Sequence, residues 1–115
     1  MLDHINRINL LYDIYAPLLT EHQQQILQLY FSDNYSMGEI ADEYGISRQA
    51  VHDLIQRALS SLEKLEQKLG LYKLYGEQLS LLDEAELLLA EDEVSKKDIK
   101  RLKGIIKALR SSSEQ

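Results

Sequence analysis

Cysteine is absent from all 115 residues of the chain. That excludes disulfides, thiolate zinc sites, iron–sulfur clusters and thiol catalysis, and it fits a reducing compartment such as the cytoplasm. Proline occurs once, at Pro17, and glycine five times, so little turn chemistry is available for a sheet. No apolar run approaches the roughly 18 residues that a membrane span needs. The first twenty residues are interrupted by Asp3, Arg7 and Asp13, against a secretory signal. Basic residues are missing from 77–95, where seven acids stand alone.

What is present points to helices. Hydrophobic residues make up 44% of the chain and recur at intervals of three and four, the period of amphipathic helices. The net charge of -6 is unevenly spread: six bases face ten acids over 1–76, and seven bases face two acids over 96–115. A simple nucleic-acid reader usually concentrates positive charge beside its reading helix, whereas here it lies at the C-terminal end.

A first helix is expected from about Asp3 to Tyr15 with Ile5, Ile8, Tyr12 and Tyr15 on one stripe, broken at Pro17. Thr20 with Gln23 forms a capping box for a second helix, which carries Ile26, Leu27, Tyr30 and Phe31 inward and frays at SDNY. Ser36 with Glu39 caps a third, and Ser47 caps a fourth that runs unbroken to Leu69. GLYKLYG is read as a loop, followed by an acidic helix from about Glu77 to Ala90. Ser95 with Asp98 opens the last helix, whose stripe is Ile99, Leu102, Ile106 and Leu109, and SSSEQ is a frayed tail. The expected organisation is a helix-turn-helix domain over 1–70 and a C-terminal helical extension over 71–115.

Residues 36–56, SMGEIADEYGISRQAVHDLIQ, carry the most specific pattern. Ala41 permits close passage of a second helix, and Gly45 four residues later suits a positive φ at the turn. Val51 and Leu54 face back onto Ile40, Ala41 and Tyr44, and Ile46 plugs the angle. This is helix-turn-helix spacing; an αα-corner without a ligand would share the packing. In a DNA reader the second helix enters the major groove by its first turns. The reading candidates are then Ser47, Arg48, Gln49, His52 and Gln56, with Arg57 on phosphate; arginine suits guanine and glutamine adenine. Asp42, Glu43 and Asp53 lie on the same side and repel phosphate.

Val51, Ile55, Ala58, Leu62, Leu65 and Leu69 follow a heptad seam. Either the seam packs on the chain's own helices, or Ile55, Leu62, Leu65 and Leu69 join two copies. The two C-terminal helices are oppositely charged and suit an antiparallel pair. Alternatively Lys96, Lys97, Lys100, Arg101, Lys103 and Lys107 form a basic patch for RNA, DNA or an acidic protein. His4, His22 and His52 lack ligand spacing, and no phosphate loop or nucleophile motif occurs. No metal, cofactor or catalytic residue is expected.

The stretch LLYDIYAPLLTEHQQQILQLYFSDNYSMGEIADEYGISRQAVHDLIQRALSSLEKLEQKLGLY resembles the YlxM family of bacterial proteins. The likeness rests on the Tyr12–Leu19 run, on Leu29-Tyr30-Phe31, and on Ser36 to Val51 with its SRQAV ending, and it covers about residues 3–75. It implies an all-α protein of the helix-turn-helix type resembling sigma-factor region 4. It also implies a cytoplasmic accessory or regulatory role without catalytic residues. The family is usually placed in the signal recognition particle pathway, because its gene commonly neighbours those of the particle's GTPase or its receptor. The implied partner is therefore the particle's protein or RNA. The alternatives are promoter DNA read by a dimer, and RNA polymerase contacted as region-4-like domains contact it.

Overall fold

The computed structural model describes residues 2–113, all of whose regular structure is helical. The chain divides into two compact units, one ending at Gly70 and one starting at Leu71.

In the first unit, helix α1 spans Leu2–Tyr15. Its inward stripe is Ile8, Leu11 and Tyr15, all buried, while Ile5 is 44% exposed and Tyr12 half-buried. The expected stripe through Ile5 and Tyr12 is therefore rotated. Leu11 takes the central position because 8, 11 and 15 keep the three-and-four spacing that ends on the fully buried Tyr15. Pro17 sits in a single 3-10 turn, Ala16–Leu18. The Gln24 side-chain amide fastens this turn by donating to the carbonyls of Ala16 at 2.6 Å and Leu19 at 3.2 Å.

Helix α2, Glu21–Leu27, starts at the Thr20–Gln23 capping box. It widens into a π turn over Gln28–Ser32 and stops at Asn34, whose φ of 62° is left-handed, a conformation asparagine tolerates better than most residues. Helix α3, Met37–Tyr44, follows the Ser36–Glu39 capping box. Helix α4, Arg48–Leu69, runs for 22 residues from the Ser47 cap to Gly70, whose φ is 62°.

Packing in this unit converges on α4. Val51, Ile55, Ala58 and Leu62 are at most 1% exposed, and α1, α2 and α3 all pack on this helix. Ile26, Leu27, Ile40 and Ala41 complete the core. Polar clasps fix α1 along α4: Arg7 makes a two-pronged bond to Glu63 at 3.2 and 2.9 Å, and the Tyr15 hydroxyl donates to Glu66 at 2.6 Å. The Gln23 amide likewise donates to the Ser61 hydroxyl, holding α2 to α4.

In the second unit, helix α5 spans Leu71–Leu89 and α6 spans Lys96–Ser113, and the two pack together. The GLYKLYG segment is thus helix from Leu71 onward rather than loop. Gly70 alone performs the stop, and Gly76 is accommodated inside α5 at the modest cost of a helical glycine. Ser95 and Asp98 cap α6 reciprocally. The inward line of α6 is Leu102, Ile105 and Leu109, with Ile105 1% exposed, while Ile99 and Ile106 are 45% and 57% exposed. Of the two adjacent isoleucines 105 and 106, packing on α5 selects the first. Ser111–Ser113 remain helical, and the last two residues of the SSSEQ tail lie outside the described residues.

Arg101 grips Glu84 with two bonds of 2.6 and 2.7 Å. That hydrogen bonding, aided by the attraction of opposite charges and opposed by slight desolvation, holds the Glu84 carboxyl below its usual range.

Three predictions arise here. Alanine at Gly45 must adopt a φ of 64° although nothing lies within 4 Å of its Cβ, so Gly45→Ala should cost about 1 kcal/mol in chemical denaturation. Gly76 is helical and equally unobstructed, so Gly76→Ala should instead add about 0.5–1 kcal/mol. Because the folded Glu84 value is depressed, its contribution is present above the unfolded carboxyl value and is lost as pH falls through the folded one. The stability gap between the natural chain and Glu84→Gln should thus be small but measurable near neutral pH, and should close progressively below about pH 4.3.

Candidate nucleic-acid or protein interface on the helix-turn-helix

The turn between α3 and α4 is built from backbone geometry. Gly45 is left-handed, its N–H bonds to the Ala41 carbonyl, and the Ile46 N–H reaches the same oxygen at 3.1 Å. The Ile46 bond is the one that marks a Schellman stop, and the Gly45 bond to the same oxygen is that of the simpler left-handed cap. Ile46 remains 37% exposed, so it covers the angle without filling it. One residue on, the Ser47 hydroxyl accepts the Ala50 N–H at 3.0 Å and starts α4. Ala41, 5% exposed, and Val51, fully buried, lie inside the turn.

The six candidate reading residues Ser47, Arg48, Gln49, His52, Gln56 and Arg57 fall on the cap and first three turns of α4, and all are exposed. Their surroundings differ. Ser47 is committed to capping. The Gln49 amide donates to Asp53 at 3.1 Å, and His52 Nδ1 lies 3.7 Å from the same carboxylate oxygen. Asp53 therefore draws two of the six toward the helix surface. Gln56 lines a groove of about 310 Å³ between α1 and α4, with His4, Ile8, Leu59 and Glu63.

Arg48 has a neighbour that sequence reading missed. A Cβ added at Gly38 would stand 3.2 Å from the Arg48 guanidinium, so the side chain lies across the first turn of α3. Gly38 at the second position of α3 makes that path available. The only sequence signal was a glycine inside an otherwise well-capped helix.

The acidic neighbours Asp42 and Glu43 on α3 and Asp53 on α4 are exposed as well. Close by, His22 and Tyr44 meet edge to face at 5.7 Å. A shallow groove of about 330 Å³ runs between the π turn and the end of α3, lined by Gln25, Gln28, Leu29, Asp33, Glu43 and Tyr44.

Of the residues read as an oligomer seam, Ile55 and Leu62 are each 1% exposed in the unit's own core, Leu65 is half-buried and Leu69 is 51% exposed. Apolar area spent inside the unit is not available to a second chain. In the basic patch, Lys96, Lys97, Lys100, Lys103 and Lys107 are exposed, whereas Arg101 is engaged by Glu84. Among the described residues, no three His, Asp or Glu side chains gather as a metal-binding group, and no helix is long and apolar enough to cross a membrane.

Comparison with known proteins agrees with this geometry. Residues 2–103 match the profile of UPF0122, described as a helix-turn-helix protein, YlxM / p13 like. A UPF0122 protein of Listeria innocua is 43% identical over 109 residues, covering 91% of this chain and 99% of its own length. One from Symbiobacterium thermophilum is 39% identical over 109 residues, covering 95% and 97%. One from Exiguobacterium sibiricum is 47% identical over 87 residues, covering 76% and 82%. Matched to the family profile over residues 2–103 and 39–47% identical to these three relatives, the chain belongs to the UPF0122 family of YlxM / p13-like helix-turn-helix proteins.

Proposed function

We propose that this protein is a non-enzymatic accessory or regulatory protein that binds a macromolecular partner through the helix-turn-helix unit, and that the partner is the protein or RNA of the signal recognition particle in the cytoplasm. The observation that carries the choice against DNA is the electrostatics of the reading face. Asp53 holds Gln49 and attracts His52, and Asp42 and Glu43 stand exposed on the neighbouring helix. Phosphate contacts supply most of the non-specific affinity for duplex DNA, and three carboxylates beside the reading turns oppose them. A protein surface can use the same arrangement, with Arg48 and Arg57 as cationic anchors and Tyr44 as an aromatic contact. The choice of the particle rests on the YlxM-type membership and on the place of that family beside the particle's genes.

A second reading is a transcriptional regulator that reads promoter DNA. It is favoured by the exposure of Arg48, Gln49 and Gln56 on the first turns of α4, where a major-groove helix places its base contacts.

A pull-down from cytoplasm, analysed for both protein and nucleic acid, separates the two. The expected result is recovery of the particle's GTPase or its RNA. Arg48→Ala combined with Arg57→Ala should lower that recovery about tenfold, a typical loss for two interface arginines. Recovery of promoter fragments alone, abolished by Arg48→Ala plus Gln49→Ala, would overturn the proposal and establish the second reading.

A further inference from the structure

The second unit consists of two helices with, among the described residues, a single buried apolar side chain, Ile105. Helices gain most of their stability from packing an apolar face, and so small a unit buries too little by itself. Its surface shows where more burial is available. On α5, Leu74, Leu81 and Leu88 are half-buried at heptad spacing along the line that meets α6. One residue further on, about 100° around the helix, lie Tyr75, Leu82 and Leu89. They repeat the heptad spacing and are 48%, 46% and 60% exposed. On α6, Ile99 and Ile106 flank the inward line of Leu102, Ile105 and Leu109.

Helical handedness fixes which of these share a face. Glu84 lies on the side of α5's inward line away from Leu82, and Arg101 lies on the side of α6's inward line away from Ile99 and Ile106. Since Glu84 and Arg101 meet at 2.6 Å, the ion pair closes one side of the hairpin. Tyr75, Leu82, Leu89, Ile99 and Ile106 therefore lie together on the other side, as a continuous apolar strip.

We propose that this strip is a dimerisation surface, on which a second copy of the chain docks by two-fold symmetry to form a four-helix bundle. Charge identifies the occupant. The α5 edge of the strip carries Asp83 and Glu86, and the α6 edge carries Lys103, Lys107 and Arg110, all exposed. A two-fold axis running along the strip, parallel to the helices, lays α5 of each copy over α6 of the other. The acidic edge of one protomer then meets the basic edge of its partner, twice over, whereas a foreign surface of one sign is repelled at one edge. Gln78, half-buried between the two seams of α5, supplies the single polar residue that sets register in helical assemblies.

Sedimentation velocity on the full-length chain tests the proposal, with helix content followed by circular dichroism. The natural chain should be a dimer. Leu82→Gln with Ile106→Gln should raise the dimer dissociation constant about 30-fold or more with helix content retained. Leu65→Gln with Leu69→Gln, on α4, should leave it unchanged. Reversing the acidic edge (Asp83→Lys, Glu86→Lys) or the basic edge (Lys103→Glu, Lys107→Glu) should each weaken self-association, and mixing the two variants should produce a heterodimer. A natural chain that is monomeric up to its solubility limit overturns the proposal. So does a dimer that survives Leu82→Gln with Ile106→Gln, or reversed variants that do not prefer each other.

Discussion

Everything in the helix-turn-helix unit depends on one stripe of α4. Val51, Ile55, Ala58 and Leu62 are spaced four, three and four apart and are removed from water almost completely. Three other helices pack on that stripe, so it serves as a common wall for all of them. Two features make this workable. Ala58 is small, so backbones can approach at the centre of the wall. Arg7–Glu63 and Tyr15–Glu66 bind the longest neighbour along its flank. The first turns of α4 are held by the packing of the turns beyond them, which is how a helix can offer its N-terminal end to a partner without losing its orientation.

The same stripe decides how the heptad pattern of α4 is to be understood. Periodicity shows that one side of a helix is apolar but does not say what covers it. In this molecule the cover for Ile55 and Leu62 is intramolecular, and only Leu65 and Leu69 at the far end keep appreciable exposure. A helix consumed by its own unit for about three turns is a weak dimer seam. The surplus apolar surface lies instead on α5 and α6, where the sequence shows two heptad lines on one helix and only one of them faces α6.

How legible the sequence was depended on the kind of signal. Capping is local chemistry: Thr20–Gln23, Ser36–Glu39, Ser47 and Ser95–Asp98 each satisfy backbone N–H groups within three residues, so the starts of α2, α3, α4 and α6 could be placed from side chains alone. Gly45 was equally legible, since a left-handed stop between two helices favours glycine. Choices made by tertiary packing were not. Two glycines six residues apart suggested a loop at GLYKLYG, yet only Gly70 has a positive φ and Gly76 is helical. The lines Ile5–Tyr12 and Ile8–Tyr15 fit a helical period equally well, and so do Ile99–Ile106 and Leu102–Leu109; contact with a neighbouring helix separates them. The π turn at Gln28–Ser32 had no sequence cue, because an extra residue accommodated in a helix changes no residue type. At the candidate interface, the exposure of Arg48, Gln49 and His52 followed from the motif. The capture of Gln49 by Asp53 and the path of Arg48 over Gly38 did not, since both depend on rotamers.

Those rotamers bear on what the helix-turn-helix shape is for. A base reader needs side chains poised outward over a surface that welcomes phosphate. Here one carboxylate on α4 takes the hydrogen-bonding capacity of Gln49, and two more on α3 stand beside the approach. Contacting a duplex would require Gln49 to leave Asp53 and would bring an uncompensated carboxylate toward a line of phosphates, so each gained base contact carries an electrostatic penalty. Against a protein surface the same Asp53 can pair with a base, and the arginines at 48 and 57 can pair with acids. The turn, the cap and the buried stripe hold α4 in position in either case. The proposed choice of a protein or RNA partner over duplex DNA rests on the carboxylates Asp42, Glu43 and Asp53 standing beside Arg48 and Arg57 on these turns.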